Sequence, residues 1–305
     1  MTPRLAPQAN VGDAMGTGHI GATADAGTAE TFGRSQVVDD LDACAHDLAA
    51  SLADDLDRFG AVHVGSRREV SPASIDLCAR ALGLADPPYR ESPIAMPEHE
   101  YLAVFRSPAR DRPRDPNRPR REPPYQAILH QDSFGRKLTP FALIFAESVP
   151  DGPPMVLVDL AASLDTLTPS LRGAIDGRCA RHGRLPAPSQ PLSAAPAYDA
   201  DRAYVHPLVV VHPRTGRKLL HLPRHPESTI EGLDDDQGRE ILRELWRHVE
   251  STDARIELPH ASHDLIVWDN LRCLHTNPGG GGGGGRTAAR EVWFTMLGEP
   301  VTPAA

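Results

Sequence analysis

The sequence predicts a mainly β protein with flanking helices, its strands arranged as a jelly-roll pair of sheets. From Gln126 onward the hydrophobic runs are mostly of strand length and are separated by turn residues. Only three long stretches carry clear helical periodicity, and they lie at the edges of the strand-rich region. Thirty prolines imply long, stiffened loops and argue against a helical bundle. Many short strands, few helices and long loops together point to a double sheet closed on itself.

The first helix spans the stretch after Asp39-Asp40. Leu41, Ala45, Leu48, Leu52, Leu56 and Phe59 recur at three- and four-residue spacing, an Asp caps the start and Gly60 ends it. Ala61–Val64 reads as a strand. Ser71-Pro72 opens a second helix, with Ile75, Cys78, Ala79 and Leu82 on its apolar face and Gly83 at its end. Tyr101–Phe105 is a candidate strand. Arg106–Pro124 holds seven arginines and six prolines and cannot form a packed element. It reads either as a solvated surface loop or as a lid that attracts an anionic substrate.

The strands that follow are Gln126–His130, Phe141–Glu147 and Met155–Val158. Two short helices, Asp159–Leu167 and Pro169–Ile175, come next, then a strand at Arg178–Arg181 and a Pro/Ala/Ser-rich loop over 183–200. Tyr204–Val211 and Lys218–Leu222 form a hairpin around His212-Pro213-Arg214-Thr215-Gly216-Arg217. The third helix runs from Asp234 to Val249, with acids at its positive end. Strands at Ala254–Leu258, Asp264–Trp268 and Arg290–Leu297 close the chain. Gly279–Gly285 is an unbroken glycine run without a preferred conformation, read as a neutral expansion in a tolerant loop.

Composition narrows the function. The chain has 305 residues, enough for one large domain or two small ones, and 40% are hydrophobic. A net charge of -9, from 41 acids against 32 bases, disfavours nucleic acid as a partner. Cys44, Cys78, Cys179 and Cys273 form no CxxC pair, so a reducing, cytoplasmic setting is expected. No apolar run is long enough to span a membrane, and the N-terminus lacks the apolar segment of a secretory signal. Residues 1–35 are rich in Gly, Ala, Thr and Pro and are expected to form a disordered arm, with residues 36–305 as a single domain.

Three sequence-distant pieces carry candidate chemistry: His130-Gln131-Asp132, His275 and Arg290, each beside a hydrophobic run. Two imidazoles and a carboxylate can occupy one face of an octahedral iron(II) and leave the other face open. Among fourteen histidines, an HxD pair alone specifies little. His206, His212, His221 and His225 are dense enough to raise a second metal site as an alternative to structural roles. Trp268 and Trp293 read as core residues. Asp269 and Asn270 are expected to organise the turn before His275 through backbone hydrogen bonds.

The flanking motifs are more specific. They are Leu129-His130-Gln131-Asp132-Ser133-Phe134, Val158-Asp159-Leu160-Ala161-Ala162, His206-Pro207-Leu208-Val209, His212-Pro213-Arg214-Thr215-Gly216-Arg217-Lys218, Asp264-Leu265-Ile266-Val267-Trp268-Asp269-Asn270 and Leu274-His275. Through them, roughly residues 40 to 297 resemble the taurine dioxygenase (TauD/TfdA-like) family of Fe(II)- and 2-oxoglutarate-dependent oxygenases. The resemblance implies a cupin-like double-stranded β-helix that uses Fe(II), 2-oxoglutarate and O2. It implies that His130, Asp132 and His275 are the metal ligands and that Arg290 holds the distal carboxylate of the cosubstrate. A guanidinium fork suits that task better than an ammonium. Asp132 in the carboxylate position argues against a halogenase of this class.

Departures from the family pattern bear on specificity. Met155 stands where the family often has a cosubstrate-binding Thr, and a thioether cannot donate a hydrogen bond. Phe294 occupies the place of a second, substrate-binding arginine, which argues against taurine. Leu129 replaces a common Trp, and Arg286 competes with Arg290 as the anchor. Tyr125, Phe134 and Phe294 are the candidate substrate-pocket residues. The expected partner is a small organic or amino-acid-like molecule that is hydroxylated, desaturated or cyclised. An oxygenase acting on a protein or nucleic-acid side chain, and an inert metal-binding jelly roll, remain as alternatives. A homo-oligomer is left open.

Overall fold

The protein, seen here as a computed structural model, is described over residues 31–83, 93–96, 98–107, 129–132, 137–149, 154–182, 204–223, 228–276 and 290–305. Several sequence expectations fall outside these ranges. They are the N-terminal arm up to residue 30, residues 108–124 of the arginine-rich loop, Tyr125, the strand start at 126–128, Phe134, the loop 183–200, His225, Arg286 and the polyglycine run.

In chain order the first elements are β1 (Arg34–Val38), α1 (Leu41–Phe59), β2 (Ala61–Ser66), α2 (Pro72–Ala81), β3 (Ala95–Met96), β4 (His99–Ser107), β5 (Phe141–Ser148) and β6 (Met155–Asp159). There follow α3 (Leu160–Asp165), α4 (Pro169–Ile175), β7 (Cys179–His182), β8 (Tyr204–Pro207), β9 (Val209–Val211), β10 (Lys218–Leu220) and β11 (Thr229–Ile230). The last are α5 (Asp235–Ser251), β12 (Arg255–Leu258), β13 (Asp264–Asp269), β14 (Cys273–His275) and β15 (Arg290–Leu297). All of them belong to the unit Phe32–Ala305.

Local chemistry sets the helix ends. Asp40 caps α1 by accepting from the Ala43 N–H at 3.3 Å. Gly60 ends it at φ +76°, and a Cβ there would lie 2.9 Å from the Phe32 ring and 3.1 Å from the Arg272 side chain. Conformation and space therefore both require glycine. Ser71 and Asp234 cap α2 and α5 in the same way.

Seven strands form the large sheet, in the order β1-β2-β13-β5-β15-β4-β3. Both of its faces are covered, so its central strands read as continuous apolar runs rather than alternating ones. Leu143 and Phe145 of β5, Leu265 and Val267 of β13, and Trp293 and Leu297 of β15 pack with α1 and α2. Their neighbours Ala142, Ile144, Ile266, Trp268, Val292 and Met296 face the opposite way. There they meet Met155, Leu157, Leu258 and Cys273 of an antiparallel three-stranded sheet, β12-β6-β14. A third apolar cluster joins α3, α4 and α5 to β7 and β9–β11. Truncating a fully buried leucine such as Leu157 to alanine costs about 2–5 kcal/mol.

The structure departs from the sequence reading in specific places. The stretch expected as one strand over Tyr204–Val211 is two strands that pair with different partners, β8 with β7 and β9 with β10. Pro207 has no N–H, and the Leu208 N–H turns to the Arg178 carbonyl at 2.9 Å, which is where the chain changes sheets. Arg34 and Ser35, placed in the arm by composition, belong to β1. That strand lies parallel to β2 and is tied down by Arg34 on Asp55 and by Ser35 on the His63 ring at 2.8 Å. The strands β3, β11 and β14 are only two or three residues long and leave no periodic signal.

The dense histidines gather differently from the sequence expectation. His182 joins His206 and His221, with ring centroids 4.7–5.3 Å apart, while His212 lies elsewhere. His182 and His221 stack at 20°, and among the described residues these histidines do not make a group of converging donor atoms. Burial, followed by the neighbouring His206, pushes the His221 imidazole down to about 3. Burial and the two other rings lower His182 well below its ordinary value. Below about pH 6.5 the unfolded chain therefore binds protons that the folded chain refuses, so stability falls with pH from there toward 3. At pH 5 His221 alone should cost about 2 kcal/mol relative to pH 7.5. Urea unfolding of His221→Leu at both pH values should show that much less loss than the parent chain; equal losses would contradict a buried neutral imidazole.

Candidate metal centre

His130 and His275 are brought together by the backbone. Each donates its N–H to the other's carbonyl, at 2.9 and 2.8 Å, in an isolated antiparallel bridge. Their rings lie 4.2 Å apart between centroids, and both residues are almost fully buried. β14 also pairs with β6, opposing His275 to Leu157, so the second imidazole is carried by the small sheet. Asp132, two residues after His130, turns its carboxylate toward both rings. Oδ2 is 3.2 Å from His275 Nε2 and Oδ1 is 3.8 Å from His130 Nε2.

Asn270 clamps this arrangement. Its Oδ1 accepts the Asp132 N–H at 2.9 Å, and its Nδ2 donates to the Asp132 carbonyl and to the Thr139 carbonyl, the latter at 2.9 Å. Gln131 adds two bonds from Nε2, to the carbonyls of Asn270 and Leu271, each at 3.0 Å. Asp269 holds the turn itself, its Oδ1 accepting from the N–H groups of Leu271 and Arg272. The expected turn role holds for Asp269. Asn270 does more, reaching across 138 residues to hold the segment that carries two of the candidate ligands.

Two further pairs brace the turn. His212 Nδ1 accepts from the N–H groups of Arg214 and Thr215, which leaves the proton on Nε2, 2.9 Å from Asp269 Oδ2. The histidine of the His212–Lys218 motif is thus structural, and it joins two of the motifs that carry the family resemblance. Arg272 forms a buried bidentate pair with Asp159, at 2.7 and 3.1 Å. Burial works against the Arg272 charge, but the bonds and charge of Asp159 outweigh it and raise its pKa. Sequence reading singled out Asp159 as part of a motif but had no signal for its partner.

Arg290 opens β15. By strand alternation it shares the inner face with Val292 and Phe294. Its Nε is buried without a hydrogen-bond partner among the described residues, and burial lowers its pKa. An unpaired, partly buried guanidinium is costly unless a ligand completes it. Trp268 links this strand to the ligands, its ring 4.7 Å from His275 and 6.4 Å from Phe294. Phe105, on β4, stands edge-on to Phe294 at 6.3 Å. Met155 is fully buried in the apolar cluster between the sheets and offers no donor.

Among the described residues, His130, Asp132 and His275 are the one group of three whose donor atoms converge, all within 4.8 Å of one another. Two cis ligands at about 2.1 Å from an octahedral ion stand about 3 Å apart, close to the His275–Asp132 separation. Two nitrogens and one oxygen are the donor set that iron(II) accepts while keeping open positions. Removing Asn270 should loosen that set without touching it. Asn270→Ala should bind Mn(II) about 10–100-fold more weakly than the parent chain, measured by calorimetry on protein whose circular dichroism is unchanged. Equal affinity would show that the clamp does not position Asp132.

Comparison with known proteins gives the chain a family and a shared fold. Residues 24–292 match the family described as taurine catabolism dioxygenase TauD, TfdA family. An (S)-phenoxypropionate/alpha-ketoglutarate-dioxygenase of Delftia acidovorans is 32% identical over 180 residues, covering 54% of this chain and 58% of that protein. An alpha-ketoglutarate-dependent 2,4-dichlorophenoxyacetate dioxygenase of Cupriavidus pinatubonensis is 31% identical over 155 residues, 48% of this chain and 53% of that one. The chain thus spans about half the length of these relatives. The crystal structure of a taurine dioxygenase from Burkholderia xenovorans superposes with a TM-score of 0.64 at 18% identity, covering 90% of this chain and 89% of that one, which shows a shared fold. With its match running from residue 24 to residue 292, the chain belongs to the TauD, TfdA family.

Proposed function

We propose that this chain is an Fe(II)- and 2-oxoglutarate-dependent dioxygenase that oxidises a small organic molecule. The observation that carries the reading is the pairing of a converged His-Asp-His set with an unpartnered arginine on the adjoining inner face. In the same reading, the seven-stranded and three-stranded sheets are the two layers of a double-stranded β-helix, with the centre between them.

Each residue has a task in this proposal. His130 and His275 hold the metal through neutral imidazoles, and Asp132 supplies the anionic ligand. Arg290 grips the distal carboxylate of 2-oxoglutarate through its planar fork. Trp268 walls off His275 and keeps water from its ring. The chemistry supplied by bound iron(II) is oxygen activation, in which 2-oxoglutarate and O2 yield succinate, carbon dioxide and an oxygenated substrate. Phe294 and Phe105 offer apolar rings where a second cation would favour an acidic group. An aromatic or otherwise apolar substrate body suits them, and the aryl part of the phenoxy compounds in the relatives' names is of that kind. The four cysteines are free thiols, which fits a cytoplasmic setting.

Succinate release over a panel of aryl acids, amino acids and aliphatic acids tests the proposal. The parent chain should form succinate with at least one aryl substrate, and His130→Ala and Asp132→Ala should form none. Arg290→Ala should raise the KM for 2-oxoglutarate about 100-fold, the scale of a lost charge-assisted pair. A larger rise from Arg286→Ala would move the anchor to that residue.

A further inference from the structure

A second group beside Arg290 has no task in the proposal above. His260 lies in the turn between β12 and β13 and is only 5% exposed. Both of its ring nitrogens are buried without a hydrogen-bond partner among the described residues. A buried imidazole with neither nitrogen satisfied is uncommon and asks for a ligand or an ordered water. The turn that carries His260 is bonded through Ser262 and His263 to the end of β5 whose Ser148 pairs with Glu291, so the unpartnered imidazole and the unpartnered guanidinium belong to the same end of the large sheet.

The turn that carries His260 is held rigidly. Asp264 Oδ2 accepts the Ala261 N–H at 2.8 Å and stands 3.2 Å from His63 Nε2. Ser262 Oγ accepts from the Val149 N–H at 3.1 Å and donates to the Val149 carbonyl. The His263 N–H donates to the Ala146 carbonyl at 2.6 Å, and the His263 carbonyl accepts from Ser66 N–H at 3.1 Å. His263 accepts a φ of +69°, a costly conformation for this residue type, within the same turn. These bonds fix the loop to the end of β5, whose Ser148 pairs with Glu291, the residue after Arg290. On the other side, Leu258 pairs with Met155 two residues before His260. The neighbouring position is therefore filled by a side chain that cannot donate.

We infer that His260 is a second binding residue for the distal carboxylate of 2-oxoglutarate, donating one ring N–H to the carboxylate that Arg290 grips. The inference rests on the reading of Arg290 as the cosubstrate anchor. Burial, and then the Arg290 cation, push the His260 imidazole down to about 4, with Asp264 opposing. The ring is thus neutral at physiological pH and keeps one N–H to donate. A neutral donor beside a cation suits a single carboxylate, because it adds a bond without a second charge to desolvate.

Calorimetric binding to the Mn(II)-loaded full chain tests this with two ligands. One is 2-oxoglutarate. The other is 2-oxopentanoate, which keeps the keto-acid head and replaces the distal carboxylate with a methyl group. His260→Leu should weaken 2-oxoglutarate about tenfold and leave 2-oxopentanoate within about twofold, the loss of one hydrogen bond to a charged group. His260→Asn, which retains an N–H donor, should recover part of the loss. His260→Phe serves in place of the leucine variant should that one fail to fold. An equal change for both ligands, or none for 2-oxoglutarate, would overturn the inference. Arg290→Ala is measured alongside. Selective loss in Arg290→Ala but not in His260→Leu leaves the anchor standing and removes His260. Selective loss in His260→Leu alone removes Arg290 as the anchor and with it the shared site inferred here.

Discussion

The reciprocal backbone pair between His130 and His275 is the contact on which the rest of the site depends. It joins two segments far apart in sequence and sets their imidazoles 4.2 Å apart, tilted by 43°. The bridge fixes the two backbones relative to each other, and both side chains are almost fully buried. Asn270 extends the same join to Asp132, satisfying that residue's N–H and carbonyl with one side chain. The turn holding Asn270 is in turn fixed from two directions, by His212 on Asp269 and by Arg272 near the Asp159 carboxylate. Buried polar groups that are fully paired rigidify their surroundings, and a half-paired set would be worse than an apolar core. The Asn270 bonds to Asp132 and the Arg272–Asp159 pair are satisfied in this sense, whereas the Arg290 Nε and both His260 ring nitrogens have no partner among the described residues.

The large sheet divides structure from chemistry by strand alternation. Odd-numbered positions of β15, Trp293 and Leu297, pack against the covering helices. Even-numbered positions, Val292 and Met296, face the small sheet, and Arg290 and Phe294 share their side. A shift of one residue in register would turn Arg290 outward and put Glu291 in its place. Glu291 instead pairs with Arg106 on the exposed side, at 2.7 Å. The pattern explains why the aromatic ladder of Phe105, Phe294 and Trp268 leads to His275, and why Met155 lies on the same inner side as the ligands.

Much of this was legible in the sequence, for physical reasons that differ by element. α1 announced itself through its leucine spacing, Asp40 and Gly60. β5, β13 and β15 showed as apolar runs because both of their faces are buried. The convergence of His130, Asp132 and His275 could be expected only through the flanking motifs, since spacing alone does not bring residues 145 positions apart together. β1 was hidden by its polar composition, and β14 by its length. The reach of Asn270 to Asp132, the Arg272–Asp159 pair and the gathering of His182 with His206 and His221 are tertiary. No local pattern encodes them. His260 was passed over because a lone histidine after a proline carries no signal until its neighbours are known.

Anaerobic titration of the metal-free chain with Fe(II) and then 2-oxoglutarate, followed by visible absorption, tests the central claim most directly. One equivalent of Fe(II) should bind, and adding the keto acid should give a weak charge-transfer band that is absent from Asp132→Ala. A folded chain that takes up iron yet shows no such band would contradict that claim.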